Sequence, residues 1–330
     1  MYFCINYSMN KKYKNIIDKG LREISMKNSP NSLYEPIKYF FNMGGKRIRP
    51  ILTLLSCKSF GGNFSDALNA ALSVETFHNF TLIHDDIMDS SSFRRGLQTV
   101  HKKWGVNNAI LSGDVMLILA YQLLEEYDSN IFLRLNKTLN KTAIEVCEGQ
   151  QMDIDFETSS DVNLEDYLKM IKLKTAVLLG CALKMGAIVA NANEENSKNI
   201  YDFGINLGLA FQLQDDYLDV FGEQDKFGKK IGGDITENKK TILFHYSILN
   251  GNENQKKEIL DLYNNDSKKI DQKISKVKSI FKQTKADVIT KNVIKDYTKQ
   301  ALNSLKLLTI SDNDKKEFES FAVSLMKREL

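Results

Sequence analysis

The chain has 330 residues, 42% hydrophobic and 26% charged, a composition that can bury a substantial core and excludes collagen, coiled-coil fibre and disordered tail. Lys and Arg number 45 against 42 Asp and Glu, a net charge of +3, which lacks the basic excess of a dedicated nucleic-acid binder. Its three prolines, Pro30, Pro36 and Pro50, lie within the first fifty residues, so the rest of the chain runs without the strongest helix breaker and points to an all-α fold.

A first amphipathic helix is predicted over about 10–27, then a turn-rich break to Pro36 and a helix carrying Ile37, Phe40 and Phe41, interrupted at Gly44-Gly45. Helix resumes over Pro50–Ser59, stops at Gly61-Gly62, and restarts with Ser65-Asp66 as N-cap of a stretch to His84 that is apolar nearly all round, the mark of a buried helix. Further helices are expected at about 107–128, 130–156, 164–191, 195–221, 239–250, 254–264, 266–283, 287–306 and 312–328, with a Gly- and Lys-rich loop at about 222–238. No repeat and no recurring strand alternation appears. The expected architecture is one all-α domain over 1–330, with a core at about 37–250 and peripheral helices from about 252.

Cys4, Cys57, Cys147 and Cys181 stand far apart, without the spacing of a disulfide framework or a zinc site. A reducing, cytoplasmic home is expected, with no signal peptide and no apolar run of roughly 18 residues to insert in a membrane.

Two acidic clusters carry the chemistry. Asp85, Asp86 and Asp89 end the most apolar helix; Asp215, Asp216 and Asp219 end the next most apolar one. The outer aspartates of each trio are one helical turn apart, about 5–6 Å, where like charges repel and call for a cation between them. An all-oxygen donor set points to Mg²⁺, which bridges carboxylates to substrate phosphates. Of 7 arginines, four fall in two pairs, Arg47/Arg49 and Arg94/Arg95; their planar forks suit phosphate oxygens better than a lysine does.

Together with Gly44-Gly45-Lys46-Arg47-x-Arg49-Pro50, Glu75-x-x-His78, Arg94-Arg95-Gly96, Lys174-Thr175 and Gly228-Lys229-x-x-Gly232-x-Asp234, these clusters make the chain resemble the trans-isoprenyl diphosphate synthases over about 40–245. The resemblance implies a helical bundle around a central apolar cavity, a homodimer, and head-to-tail joining of isopentenyl diphosphate to an allylic diphosphate. It implies Mg²⁺, three per site, held mainly by Asp85, Asp89 and Asp215 with help from Asp86, Asp216 and Asp219. Arg94, Lys174, Thr175, Gln212, Lys229 and Lys239 would hold the allylic diphosphate, with Gln150 and Asp153 close by; Lys46, Arg49, His78 and Arg95 would hold isopentenyl diphosphate. Phe80 and Thr81, just before the first trio, would set chain length. By helical angle Thr81 shares the face of Asp85 while Phe80 lies about 140° away, so the choice of Phe80 as the floor rests on resemblance. A bulky floor implies a short product, farnesyl or geranylgeranyl. A terpene cyclase of the same architecture or an inactive regulatory subunit are the competing readings; the second Asp trio and Lys46/Arg49 oppose the first, and the intact aspartates and arginines oppose the second.

Overall fold

The structure, a computed structural model, describes residues 2–24, 26–159, 161–222, 231–264 and 269–326. Among these, the helices are α1 (Tyr2–Glu23), α2 (Asn31–Asn42), α3 (Ile48–Ser59), α4 (Leu68–Met88), α5 (Val100–Trp104), α6 (Val106–Gln122), α7 (Ser129–Thr158), α8 (Leu164–Ile171) and α9 (Val177–Val189). They continue with α10 (Glu194–Phe221), the short α11 (Gly233–Thr236), α12 (Ile242–Asn250), α13 (Glu253–Asn264), α14 (Ile270–Gln283), α15 (Ala286–Lys306) and α16 (Asp312–Met326). The fold is all-α, and the described strands are the two-residue pair β1 (Phe93–Arg94) and β2 (Leu97–Gln98).

Residues cluster into two compact units: 1–141, 181–201 and 309–314 form the first, and 142–180, 202–308 and 315–330 the second. In the first unit α4 is the hub, packed against α1, α3, α5 and α6. It is buried from Ala70 through Phe77 without interruption, as expected of a helix apolar on every side. The Ser73 hydroxyl donates to the Ala120 carbonyl at 2.6 Å and pins α4 to α6. In the second unit α12 packs on α8, α13, α14 and α15, and the helices after 252 contribute Ile259, Val277, Phe281 and Leu305 to its core. Each such side chain, fully buried, contributes about 1.5–3 kcal/mol of transfer free energy.

Local sequence signals explain several starts. Asn163 caps α8 by accepting from the Asp166 N–H at 2.9 Å, and Asn193 accepts from Asn196 N–H at 2.8 Å ahead of α10. Ser65-Asp66 does not cap α4. That helix begins at Leu68, and the Tyr127 hydroxyl, arriving from beyond α6, accepts the free N–H of Ala70 at 3.0 Å while donating to the Asp66 carbonyl at 2.7 Å. A tertiary cap has taken the place of the local one.

Candidate functional site

In the first unit, five basic side chains gather around the α3 N-terminus and the β-pair. Arg95 (φ 53) and Gly96 (φ 78) both take positive φ between β1 and β2, the pattern of a two-residue type I′ turn, and this turn presents Arg94 and Arg95 side by side. Arg95 donates to the Gly44 carbonyl, and Gly45 beside it holds φ 146, a backbone conformation that favours glycine, with the Arg95 guanidinium 3.1 Å from where a Cβ would lie. Arg49 Nη1 sits 3.2 Å from His78 Nε2. A guanidinium can only donate, so Nε2 accepts and His78 is neutral. Burial first, then the charges of Arg49, Arg95, Arg94 and Arg47, push the His78 pKa well below its ordinary value. Burial also lowers Arg49 and Arg95, and the buried Nε of Arg49 has no protein acceptor. Lys46 is exposed.

Arg47 does not join this anion-seeking group, contrary to the pairing of arginines read from the sequence. Its guanidinium is fully enclosed and donates to Asp18 Oδ1 at 2.9 Å, Glu75 Oε1 at 2.6 Å and the Phe41 carbonyl at 3.0 Å. Every face of the fork is engaged inside the protein. Burial opposes the charge on Asp18, yet hydrogen bonds from Lys14 and Arg47 hold its carboxyl below the usual range.

At the C-terminus of α4 the Asp89 N–H donates to the Asp85 carbonyl at 2.8 Å, so the two residues occupy successive turns. Asp86 is 1% exposed; its Oδ2 accepts from Arg94 Nε at 2.8 Å, and its Oδ1 is buried without a protein donor. Upstream, the Thr81 hydroxyl is spent on the His78 carbonyl at 2.8 Å. The Phe80 ring packs edge-on against His84, centroids 4.7 Å apart, and lies 5.7 Å from Phe77.

In the second unit, α8 passes through a π-helical turn, Lys172–Ala176, before α9. The sequence reads as one uninterrupted helix there; the structure inserts the wide turn that aims Lys174 and Thr175, as such bulges often do at functional positions. Lys174 Nζ donates to Asp153 Oδ2 at 2.5 Å. Thr175 Oγ1 donates to Gln212 Oε1 at 3.1 Å, and Gln212 Nε2 to Asp216 Oδ1 at 3.1 Å. Asp216 Oδ2 accepts from the Tyr167 hydroxyl. Burial first, then the negative charges of Asp234 and Asp215, raise the Asp216 pKa well above the carboxylate range, against the partial relief of its two donors. Asp219 Oδ2 accepts from the Asp234 N–H at 3.0 Å and its carbonyl from Gly232 N–H at 2.7 Å, which sets the start of α11. Lys239 pairs with Glu237 at 2.8 Å; burial works against its charge, but Glu237 and then Asp234 and Asp153 raise its pKa. Gln150 is buried on α7, one turn before Asp153. Lys229 lies outside the described residues.

Tyr167, Asp234 and Glu75 are partners that residue-by-residue reading left without a role. Glu75 and Asp234 do stand inside quoted motifs, whereas a tyrosine at a buried helical position looks like any core residue. Among the described residues no group of three or more His, Cys, Asp or Glu side chains is placed to hold a metal ion by itself.

The all-helical fold is shared with solved prenyl synthases. A crystal structure of a geranylgeranyl pyrophosphate synthase superposes with TM-score 0.93 at 49% identity, over 97% of this chain and 99% of that one. A short chain isoprenyl diphosphate synthase of Methanothermobacter thermautotrophicus is 34% identical over 92% of both chains. A geranylgeranyl diphosphate synthase of Saccharolobus solfataricus is 37% identical over 87% of both. The polyprenyl synthetase family model matches residues 30–283, and the chain belongs to that family. It is a prenyltransferase that elongates prenyl chains.

Proposed function

We propose that the chain condenses isopentenyl diphosphate head to tail with allylic diphosphates, ending at geranylgeranyl length and releasing pyrophosphate at each step. The observation that carries this is the cationic cluster of the first unit: Arg49, Arg94 and Arg95 crowd a neutral His78, with a buried guanidinium nitrogen awaiting an acceptor. Such mutual repulsion is relieved by a multiply charged anion such as a diphosphate. The names of the relatives support the product length.

The acidic residues fit a hard divalent cation such as Mg²⁺. Asp86 offers a buried oxygen with no protein donor, and burial, followed by the negative charges of Asp234 and Asp215, raises the Asp216 pKa. Carboxylate oxygens suit an ion that keeps waters and substrate oxygens in its shell. Asp85, Asp86 and Asp89, with Asp215, Asp216 and Asp219, would hold three such ions, which when bound supply positive charge to the oxygens of the leaving diphosphate.

The chain's own groups do the rest. Arg94, Lys174, Thr175, Gln212, Lys229 and Lys239 bind and orient the allylic diphosphate, and fixed cations favour breaking of its C–O bond. Lys46, Arg49, His78 and Arg95 hold isopentenyl diphosphate so that its double bond, not water, meets the allylic carbon. A new C–C bond forms as the C–O bond breaks, and the proton lost in forming the new double bond passes to the departing pyrophosphate. Phe80, braced by His84 and Phe77, limits the tail, with Thr81 beside it. Cys57, Cys147 and Cys181 form no disulfide among the described residues, which supports a cytoplasmic site of action, and no helix among the described residues is long and apolar enough to cross a membrane.

The test is to incubate the purified protein with isopentenyl diphosphate, each allylic primer and Mg²⁺, and to size the dephosphorylated alcohols. A twenty-carbon alcohol is expected, and Asp85→Ala or Asp215→Ala should cut turnover by about 10²–10³-fold with the fold retained. Near-normal turnover in both variants would overturn the assignment.

A further inference from the structure

The second unit contains a groove that the reaction does not use. It encloses ≈ 600 Å³ between the C-terminal half of α10, α15 and α16, a volume that suits a small ligand, for which pockets of about 300–1,000 Å³ are usual. Its walls are mainly apolar, formed by Ile294, Leu302 and Met326, and it reaches down to Gln214, which is only 4% exposed.

Its rim is basic. Lys291, Lys295 and Lys299 recur every fourth residue of α15 and therefore stand on one side of that helix, with Lys306 further along the same side. Lys291 is braced over the Tyr217 ring, 5.0 Å from its centroid. Among the described residues none of these four ammonium groups is in an ion pair, and the one carboxylate lining the groove is Glu319. A lysine face turned to water needs no apolar hollow beside it; a purely apolar hollow needs no row of cations. The two together match a molecule that has both a greasy stem and an anionic head.

We propose that this groove is a second ligand site that takes one molecule of an amphiphilic phosphate, its alkyl or prenyl stem on Ile294, Leu302 and Met326 and its phosphate head on the lysine rim. A single molecule fits better than a bilayer surface because Ile294 and Leu302 are half-buried while Lys295, Lys299 and Lys306 are exposed, and the groove reaches down to Gln214, whose Nε2 donates to the Met326 carbonyl at 2.7 Å. The site is independent of the reaction assigned above, since none of its lining residues is placed in the catalytic or substrate-binding machinery.

Calorimetric titration of the full chain with monomeric decyl phosphate, in EDTA so that cation-dependent binding at the aspartates is silenced, tests this. One molecule should bind per chain. Lys295→Glu/Lys299→Glu should weaken it by about tenfold or more, through loss of charge-assisted contacts. Leu302→Gln should weaken it too, and inorganic phosphate and uncharged decyl maltoside should each bind worse by a similar factor. The charge-reversal variant alters exposed positions and keeps the test decisive if Leu302→Gln fails to fold. Equal affinity in wild type and the lysine variant would overturn the proposal. So would inorganic phosphate binding as tightly as decyl phosphate, the sign of a mere basic patch, or binding to phosphatidylglycerol vesicles with none to the monomer.

Discussion

Arg47 and Arg49 stand two residues apart and are used in opposite ways. Arg47, in a left-handed conformation at the α3 N-terminus, bonds Asp18 on α1, Glu75 on α4 and the end of α2, so one guanidinium ties together four helices of the first unit. Arg49 keeps a buried nitrogen unspent beside His78. Arg47→Met should destabilise the protein by about 3–5 kcal/mol, because Glu75, 2% exposed, would be left as an unpaired buried charge. Arg47→Lys should fare little better, since a point charge cannot reach three acceptors. Arg49→Met should leave the melting temperature nearly unchanged and raise KM for isopentenyl diphosphate. Calorimetry and kinetics on the three variants check this, and a stable Arg47→Met would sink it. The scarcity of arginine was visible in the sequence. Which arginine faces inward was not, because Asp18 and Glu75 come to it from distant segments.

At the scale of elements, the turn at Lys172–Ala176 shows what periodicity misses. An apolar pattern over 164–191 reads as one helix because one widened turn barely disturbs a 3.6-residue period. What makes room for the turn is small residues on its neighbours: a Cβ on Gly149 of α7 would stand 2.2 Å from the Lys174 nitrogen, and one on Gly208 of α10 2.7 Å from the Ala176 Cα. Backbone cannot step aside as a flexible side chain can. Gly149→Ala should therefore shift the turn, costing about 1–3 kcal/mol and loosening the Lys174–Asp153 and Thr175–Gln212 bonds, with KM for the allylic diphosphate raised. An unchanged melting curve together with unchanged KM would show the turn to be indifferent to α7. The hairpin that presents Arg94 and Arg95 was likewise hidden, since strands of two residues leave no alternation to detect.

For the molecule as a whole, α6 leaves an apolar face in view: Ile110 is 39%, Leu111 55% and Ile118 65% exposed. A row of that kind on a helix otherwise packed against α4 is where a second copy would be expected to sit. Leu111→Asp/Ile118→Asp should convert a dimer to a monomer in sedimentation velocity, while a wild-type monomer, or a variant still dimeric, would remove α6 from the interface. Helical class, most of the helices and the paired aspartate trios were determined by the sequence alone, because each depends on residues within a turn or two of one another. The spent fork of Arg47, the tertiary cap from Tyr127, the coupling of Tyr167 and Asp234 to Asp216, and the lysine-rimmed groove were decided only by the folded chain. In each of these, charge and hydrogen bonding join segments far apart in sequence, and no local period records which distant partner will arrive.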